Sequence, residues 1–432
     1  MSRKVDFITL GCAKNLVDSE YLLKQLELAN FQCYHNPTTT HGDIAIVNTC
    51  GFILDAQQES IQTILQLGEL KKRNKLNRLY VMGCLSERFK ADLQAEIPEV
   101  DAFFGKFNYM DIVAELLSEP FSVNPAFACQ RTLTNGKFSA YLKIAEGCDR
   151  TCSYCAIPLM VGKYKSRPQE EILQEMHWLV SQGVKEFNVV AQDICYYGLD
   201  LYHEQRLPQL VEQMAQIEGV QWLRLHYAYP TNFPIALLDV MAKYDNICKY
   251  LDIPFQHCSD KVLQLMRRHI SAQEQNDLIH LIRQKVPNIC LRTTLLVGHP
   301  GETEEDFLQL LAWVKEMKFE HLGVFTYCEE QGTFSQQNYQ DSIPQTEKER
   351  RKERIMEAQE TISLQYMQTF VGKSVKILVE KKEKKYYLCR TEFDSPEVDC
   401  EVMIESEKKL QIGDFYEAKI NDCEPFVLYG TI

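Results

Sequence analysis

No apolar run in these 432 residues approaches the ~20 that a membrane-spanning helix needs, which excludes an anchor of that kind. The opening residues MSRKVDFITLGC pass straight into a strand-like run, without the layout of a signal peptide, and this predicts a cytosolic protein. A basic surplus is missing too: 60 acidic against 47 basic residues leave a net charge of −13. Phosphate contacts supply most of the affinity of proteins that live on nucleic acid, so the balance argues against such a partner for the chain as a whole. It leaves room for a local basic patch and favours a basic protein partner. There is no low-complexity segment, and no repeat beyond an alternation of strand-like and helix-like runs. At ~150 residues per domain, the length predicts about three domains.

Cysteine, by contrast, is plentiful, with 16 residues. In a reducing compartment these predict metal or redox chemistry where they cluster, and small buried residues where they scatter. The densest stretch is EGCDRTCSYCAIP, Glu146 to Pro158, with Cys148, Cys152 and Cys155 at C-x3-C-x2-C. A fourth ligand is lacking nearby, and the next histidine, His177, is distant. Structural zinc takes four protein ligands. A 4Fe–4S cluster held by three cysteines keeps one iron open, and an open position is what a reacting metal needs.

A second group of thiols emerges from the secondary-structure pattern. VDFITLGC, DIAIVNTCG and RLYVMGC are β-rich runs, each followed by a helix-like stretch, which predicts a parallel α/β domain over residues 1–120. Each run ends beside a cysteine: Cys12, Cys50 and Cys84. Ligands of open parallel sheets bind at the carboxyl ends of the strands, so these three are expected to converge on a second three-thiolate site.

A linker follows over about Ser118 to Lys137. Six further strand-like runs, from SAYLKIAEGC to HLGVFTYC, alternate with helical stretches and predict a partial (β/α)6 barrel over residues 134–365. Its rim is expected to carry Gln192, Asp193, Arg224, His226, Gln256 and His257. PQTEKERRKERIMEAQETISLQYMQTF reads as one long helix with a solvated charged face. Residues 370–432 hold five short alternating strands and predict a small OB-like β-barrel, so the class is α/β, multidomain.

GCDRTCSYCAIP has the cluster motif of the radical-SAM enzymes, and ITLGCAKNLVDSE, NTCGFI and VMGC resemble the amino-terminal domain of the methylthiotransferases. The last barrel resembles a TRAM domain, and YLDIPFQHCSDKVLQLMRR, LRTTLLVGHPGETEEDF and LGVFTYCEEQGT extend the likeness over essentially the whole chain. Nearest is the branch that modifies an aspartate of the twelfth protein of the small ribosomal subunit. The resemblance implies two 4Fe–4S clusters and S-adenosylmethionine as cofactors. Cys148, Cys152 and Cys155 would hold the radical-generating cluster, and Cys12, Cys50 and Cys84 an auxiliary cluster carrying the sulfur. Tyr154, Gln192, Arg224, Val297 and Gly298 are the expected cofactor-binding residues, Tyr154 and the Val297-Gly298 turn near the adenine. Catalytic side chains beyond these are not indicated. An electron donor is implied as partner, with a monomeric enzyme and no membrane. Two positions depart from the pattern: Val161, where many relatives have arginine, and His299, where an aromatic Phe is common. His299 is expected to be structural, and Cys195 and Cys258 to stand apart from both clusters.

The rival substrate within the same chemistry is an adenosine of tRNA. From Val371 to Ile432 there are 10 Lys or Arg against 13 Asp or Glu, which favours a basic ribosomal protein over tRNA. KKEKKYY is the one basic-aromatic stretch suited to RNA, including ribosomal RNA; a solvated hairpin is the plainer reading. A rival of another class is an iron–sulfur electron carrier, which needs neither the barrel nor the adenine turn.

Overall fold

Apolar runs with few polar breaks need cover on both faces, and the amino-terminal ones find it in a parallel sheet between helices. The computed structural model describes residues 3–432 and divides into two units. The first takes in the chain up to Asn135 with Tyr141–Asp149 and Ala156–Trp178; the second is Gly136–Ala140, Arg150–Cys155 and Leu179–Ile432.

In the first unit, β1 (Lys4–Thr9), β2 (Gln32–His35), β3 (Ile44–Thr49), β4 (Arg78–Gly83) and β5 (Ala102–Phe103) form one sheet in the order β2-β1-β3-β4-β5, with parallel ladders. Successive side chains of β3 and β4 go to opposite faces. Ile44, Ile46, Tyr80 and Met82 pack with α1 (Ala13–Leu28). Ala45, Val47, Leu79 and Val81 pack with α2 (Leu54–Lys72) and α3 (Cys84–Glu96). α4 (Tyr109–Leu117) adds Ile112, Val113 and Leu116 to the first face. β2 and β5 escape the sequence reading because edge strands can be short and polar: one is QCYH and the other two residues long.

β6 (Ser139–Lys143) leads to the cysteine loop, which the antiparallel pair β7 (Ala145–Glu146) and β8 (Lys165–Ser166) flanks together with the short helix α5 (Ile157–Val161). β9 (Glu186–Val190), β10 (Trp222–Leu225), β11 (Ile247–Asp252), β12 (Cys290–Val297) and β13 (His321–Thr326) complete a six-stranded sheet of order β13-β12-β11-β10-β9-β6. This is the expected sequence of six βα units. Its helices start where the chain says they should: Ser271 with Glu274, and Thr303 with Asp306, each close a capping box.

The helix Gln345–Gln368 departs from a plain solvated rod. Lys348, Arg351, Ile355, Gln359, Ile362 and Met367 form a buried stripe at helical spacing. Arg351 pairs with the buried Glu302 at 2.8 Å and Lys348 with Asp341 at 2.5 Å. Charged residues inside the stripe hid it from a hydrophobicity reading.

β14 (Ser374–Glu383), β15 (Tyr386–Thr391), β16 (Glu401–Glu405), β17 (Phe415–Glu424) and β18 (Val427–Thr431) close into a barrel of order β14-β15-β16-β18-β17. This barrel meets the amino ends of the six-stranded sheet. Trp222, Cys248, Tyr250 and Cys290 pack against its Leu378, Phe393 and Phe415. Polar groups fix the junction: Arg390 donates to Glu186 at 2.7 Å, Tyr250 donates to Asp399 at 2.8 Å, and Arg292 pairs with Asp399 at 3.1 Å. Burial opposes ionisation of Glu186, yet Arg390 and Arg224 together hold it well below the usual carboxylate range. His321 completes the junction, with one ring nitrogen 2.9 Å from the Phe393 carbonyl and 3.4 Å from Asp394, the other 3.7 Å from Cys400 Sγ.

Candidate metal and cofactor sites

The first thiol group is built by long-range folding. β1, β3 and β4 are adjacent and parallel, so the residues after them reach one edge. Cys12 precedes α1, Cys50 follows β3, and Cys84 opens α3. Gly11 has φ +89°, and a Cβ there would stand 2.9 Å from Cys50 Sγ. Only glycine lets the first strand end so close to the second thiol. Asn15 ties the edge together: its side-chain amide donates to the Leu10 and Thr49 carbonyls, and Cys84 Sγ is 3.6 Å from its oxygen. Cys12 is exposed, while Cys50 and Cys84 are buried.

Burial pushes the Cys84 thiol up to about 12, against the pull of the Lys106 ammonium. Cys50 is raised by the same cause. Lys106 is itself buried and answered by carboxylates, with Asp18 at 2.9 Å and Glu146 at 3.6 Å. Lys143 joins them, 2.6 Å from Glu146 and paired with Asp18. Two cations therefore face two carboxylates beside this thiol edge, within the first unit. Cys84 also packs against Ala156, Met160 and Val161, so Val161 is an apolar support here rather than a polar contact.

The second group lies on one loop. Gly147 has φ +83°, and a Cβ there would meet the Lys163 carbonyl oxygen at 2.0 Å; the Cys148 amide donates to the Gly162 carbonyl at 3.2 Å. Further along, the Ser153 amide donates to the Met266 carbonyl at 3.0 Å, and the Ser335 amide to the Ser153 carbonyl at 2.7 Å. The ring Nε2 of His299 is 3.3 Å from Ser153 Oγ and 3.1 Å from Ser335 Oγ. His299 thus ties Ser153 to Ser335, and burial lowers its basicity to a pKa of about 4.

Cys152 Sγ has two polar neighbours that sequence reasoning did not single out: an Arg268 guanidinium nitrogen at 3.4 Å and the Tyr229 hydroxyl at 3.5 Å. The signal was present in LMRRH, where two adjacent arginines take opposite fates; Arg268 is buried and Arg267 is not. Arg150, in the cysteine loop, pairs with Asp193 after β9 at 2.8 Å.

The expected cofactor residues divide. Tyr154 packs on Val262, Met266, Leu296 and Tyr327. The Val297 carbonyl accepts from the Tyr327 amide at 2.8 Å, and the Gly298 amide donates to Glu302 at 2.5 Å. Tyr154 and the Val297-Gly298 turn are therefore neighbours through Tyr327. Gln192 lies just past β9, beside Asp193. Arg224 is a correction. It pairs in register with Asn188 and reaches back to Glu186 at the start of β9 and to the Thr391 and Glu392 carbonyls of the small barrel. A fully buried guanidinium with those partners belongs to the sheet's opposite end, away from the strand ends that bear Asp193 and Gly298. Asp252 and His226 are likewise buried, as are Cys195 and Cys258.

The spacing of the thiols bears on what each group could hold. Among the described residues, His321, Asp394 and Cys400 alone bring three donors within 4.8 Å of one another, and neither triad does. Zinc–sulfur bonds of ~2.3 Å would draw thiols closer than that, whereas a cube of irons spreads them.

Residues 4–105 match the uncharacterized protein family UPF0004, residues 142–314 the radical SAM superfamily, and residues 371–432 the TRAM domain. The chain is 52% identical over 429 residues to the ribosomal protein uS12 methylthiotransferase RimO of Phocaeicola vulgatus, covering 99% of each chain. It is 50% identical over 431 residues to the protein of that name from Bacteroides thetaiotaomicron, covering 100% of this chain and 98% of the relative. Among solved structures, the radical S-adenosylmethionine methyltransferase TsrM of Kitasatospora setae superposes with a TM-score of 0.55 at 15% identity, covering 76% of this chain and 75% of its own, a likeness of fold. No helix among the described residues is long and apolar enough to cross a membrane.

Proposed function

We propose a function from one premise: this chain belongs to the radical-SAM methylthiotransferase family and is an enzyme of that class. Its substrate is the ribosomal protein uS12, as the relatives' name and the acidic small barrel together suggest, and the resemblance of its motifs to the aspartate-modifying branch points to the β-carbon of an aspartate. Two 4Fe–4S clusters serve it, one on Cys148, Cys152 and Cys155, the other on Cys12, Cys50 and Cys84. The observation that supports this reading is two separate groups of three cysteines in one chain, each with a member beside a buried cation.

When bound, the cofactors supply the electron, the hydrogen-abstracting deoxyadenosyl radical, the sulfur and the methyl group. The chain's own residues hold and shield. Gly11 lets the backbone pass close to Cys50, and Gly147 lets the cysteine loop pass close to the Lys163 backbone. Ser153, clamped by Met266, Ser335 and His299, fixes the loop between two ligands. Tyr154 and the turn at Val297 and Gly298 form the apolar side of the S-adenosylmethionine pocket, and Gln192 a polar one. The small barrel packs on the amino ends of the sheet strands and excludes water from the end opposite the chemistry.

Methylthiolation of a tRNA adenosine is the second reading, favoured by one feature, the hairpin of Lys382, Lys384, Lys385 and Tyr386. Against it, Lys385 lies 4.7 Å over the Tyr386 ring and Lys382 5.1 Å over Tyr387, so each ring already carries a cation on one face. Mass spectrometry of the ribosomal protein and of digested tRNA, from cells with and without this gene, decides. A methylthio mass lost from the protein aspartate alone supports the proposal; loss from tRNA overturns the substrate and leaves the chemistry.

A further inference from the structure

Arg268 is a buried cation with no carboxylate partner among the described residues. It is 2% exposed. One terminal nitrogen donates to the Pro254 carbonyl at 2.5 Å, the other is 3.4 Å from Cys152 Sγ, and its Nε has no partner among the described residues. No carboxylate among the described residues pairs with it; its charged or chargeable neighbours are Cys152, Tyr154 and Tyr229. Burial of an isolated guanidinium is costly unless an anion answers it. The contact of its terminal nitrogen to Cys152 places an anion at that thiol within reach of the charge.

Tyr229 reinforces the arrangement without replacing it. The guanidinium carbons of Arg268 and Arg150 are each 4.2 Å from its ring centroid. Its hydroxyl donates to the Arg268 carbonyl at 3.2 Å and lies 3.5 Å from Cys152 Sγ. Arg150 brings no net charge, since Asp193 neutralises it at 2.8 Å. The uncompensated positive charge at this ligand is therefore that of Arg268.

We infer that Arg268 is a positioning residue for the cluster that Cys152 helps to hold, and that its fixed charge makes that cluster easier to reduce. The inference rests on the assignment of a cluster to Cys148, Cys152 and Cys155. Three thiolates around a 4Fe–4S core leave one negative charge in the oxidised state, and two after the core gains one electron from an external reductant; no bond forms or breaks. A cation donating to a ligand sulfur stabilises the more negative state and raises the potential.

The test uses the full chain with Cys12→Ala, Cys50→Ala and Cys84→Ala, so that one cluster remains, reconstituted and titrated with dithionite under electron paramagnetic resonance. If this parent binds no iron, the cluster assignment fails and the inference falls with it, before Arg268 is touched. With iron bound, Arg268→Gln is expected to keep the iron and to disfavour reduction tenfold or more, a midpoint at least ~59 mV lower for one electron. An unchanged midpoint at full iron overturns the inference. Should Arg268→Gln lose its iron, Arg268→Lys decides: iron restored supports a role for charge, and iron still absent assigns Arg268 to structure alone.

Discussion

The two thiol triads solve one problem in two ways. Cys148, Cys152 and Cys155 are neighbours in sequence, so a single loop presents them, and its cost is local: one left-handed glycine and a clamp on Ser153. Cys12, Cys50 and Cys84 are brought to one edge only by the order of β1, β3 and β4. Their cations differ as well. Lys106 stands beside Cys84 with its charge already met by Asp18 and Glu146, whereas Arg268 stands beside Cys152 with no carboxylate partner among the described residues. A balanced cation holds a site together; an unbalanced one biases whatever anion is bound. Under the proposed function, that distinction would suit a cluster that retains sulfur on the one hand and a cluster that accepts an electron on the other.

The largest effects come from removing the triads themselves. Changing Cys148, Cys152 and Cys155 to Ala is expected to halve the bound iron and abolish formation of deoxyadenosine from S-adenosylmethionine. The same change at Cys12, Cys50 and Cys84 should also halve the iron yet leave deoxyadenosine formation in place. Iron assay and chromatography read both, and equal loss of cleavage in the two variants would erase the functional contrast.

Breaking the charge balance tests the second half of the comparison. Asp18→Asn leaves Lys106 and Lys143 to share Glu146, and should destabilise the fold by about 3–5 kcal/mol in chemical denaturation. A loss under ~1 kcal/mol would show that the pairing is exposed to solvent in solution and is not a buried device.

A smaller effect belongs to the loop clamp. His299 has its pKa lowered to about 4 by burial, against about 6.5 in an unfolded chain. Between those values the unfolded state binds the extra proton, so stability is full above ~6.5 and declines as pH falls toward ~4, by at most about 3 kcal/mol. In denaturation of the cluster-free chain, His299→Phe should flatten this slope; an identical slope would move the titration to another group. The smallest change is expected on the small barrel's hairpin. Lys384→Glu should alter stability by less than ~0.5 kcal/mol and leave modification of the ribosomal protein intact, measured on purified components.

Much of this was legible in the chain. Strand-like runs alternating with helical ones announced the two sheets, because a β-rich run between helical periods has few other ways to bury its faces. The cysteine at the end of each amino-terminal run announced the second triad, since parallel strands bring their carboxyl ends to one edge. Arg224 was misplaced for an equally physical reason. A strand's sequence says which face a side chain takes, but a long flexible side chain chooses its end of the barrel by its partners, here Glu186 and two carbonyls 167 and 168 residues away. Arg268 was passed over because adjacent arginines look alike in sequence, and burial separates them.

The sequence by itself determined the elements, their order and the spacing of the cysteines, because spacing and periodicity are local properties. Only the tertiary structure decided which charges are answered. Asp18, Lys106, Lys143 and Glu146 lie up to 125 residues apart in their pairings, and Arg268 meets Cys152 across 116. Electrostatic balance depends on distance and burial in space, and neither is written in the order of residues along a chain.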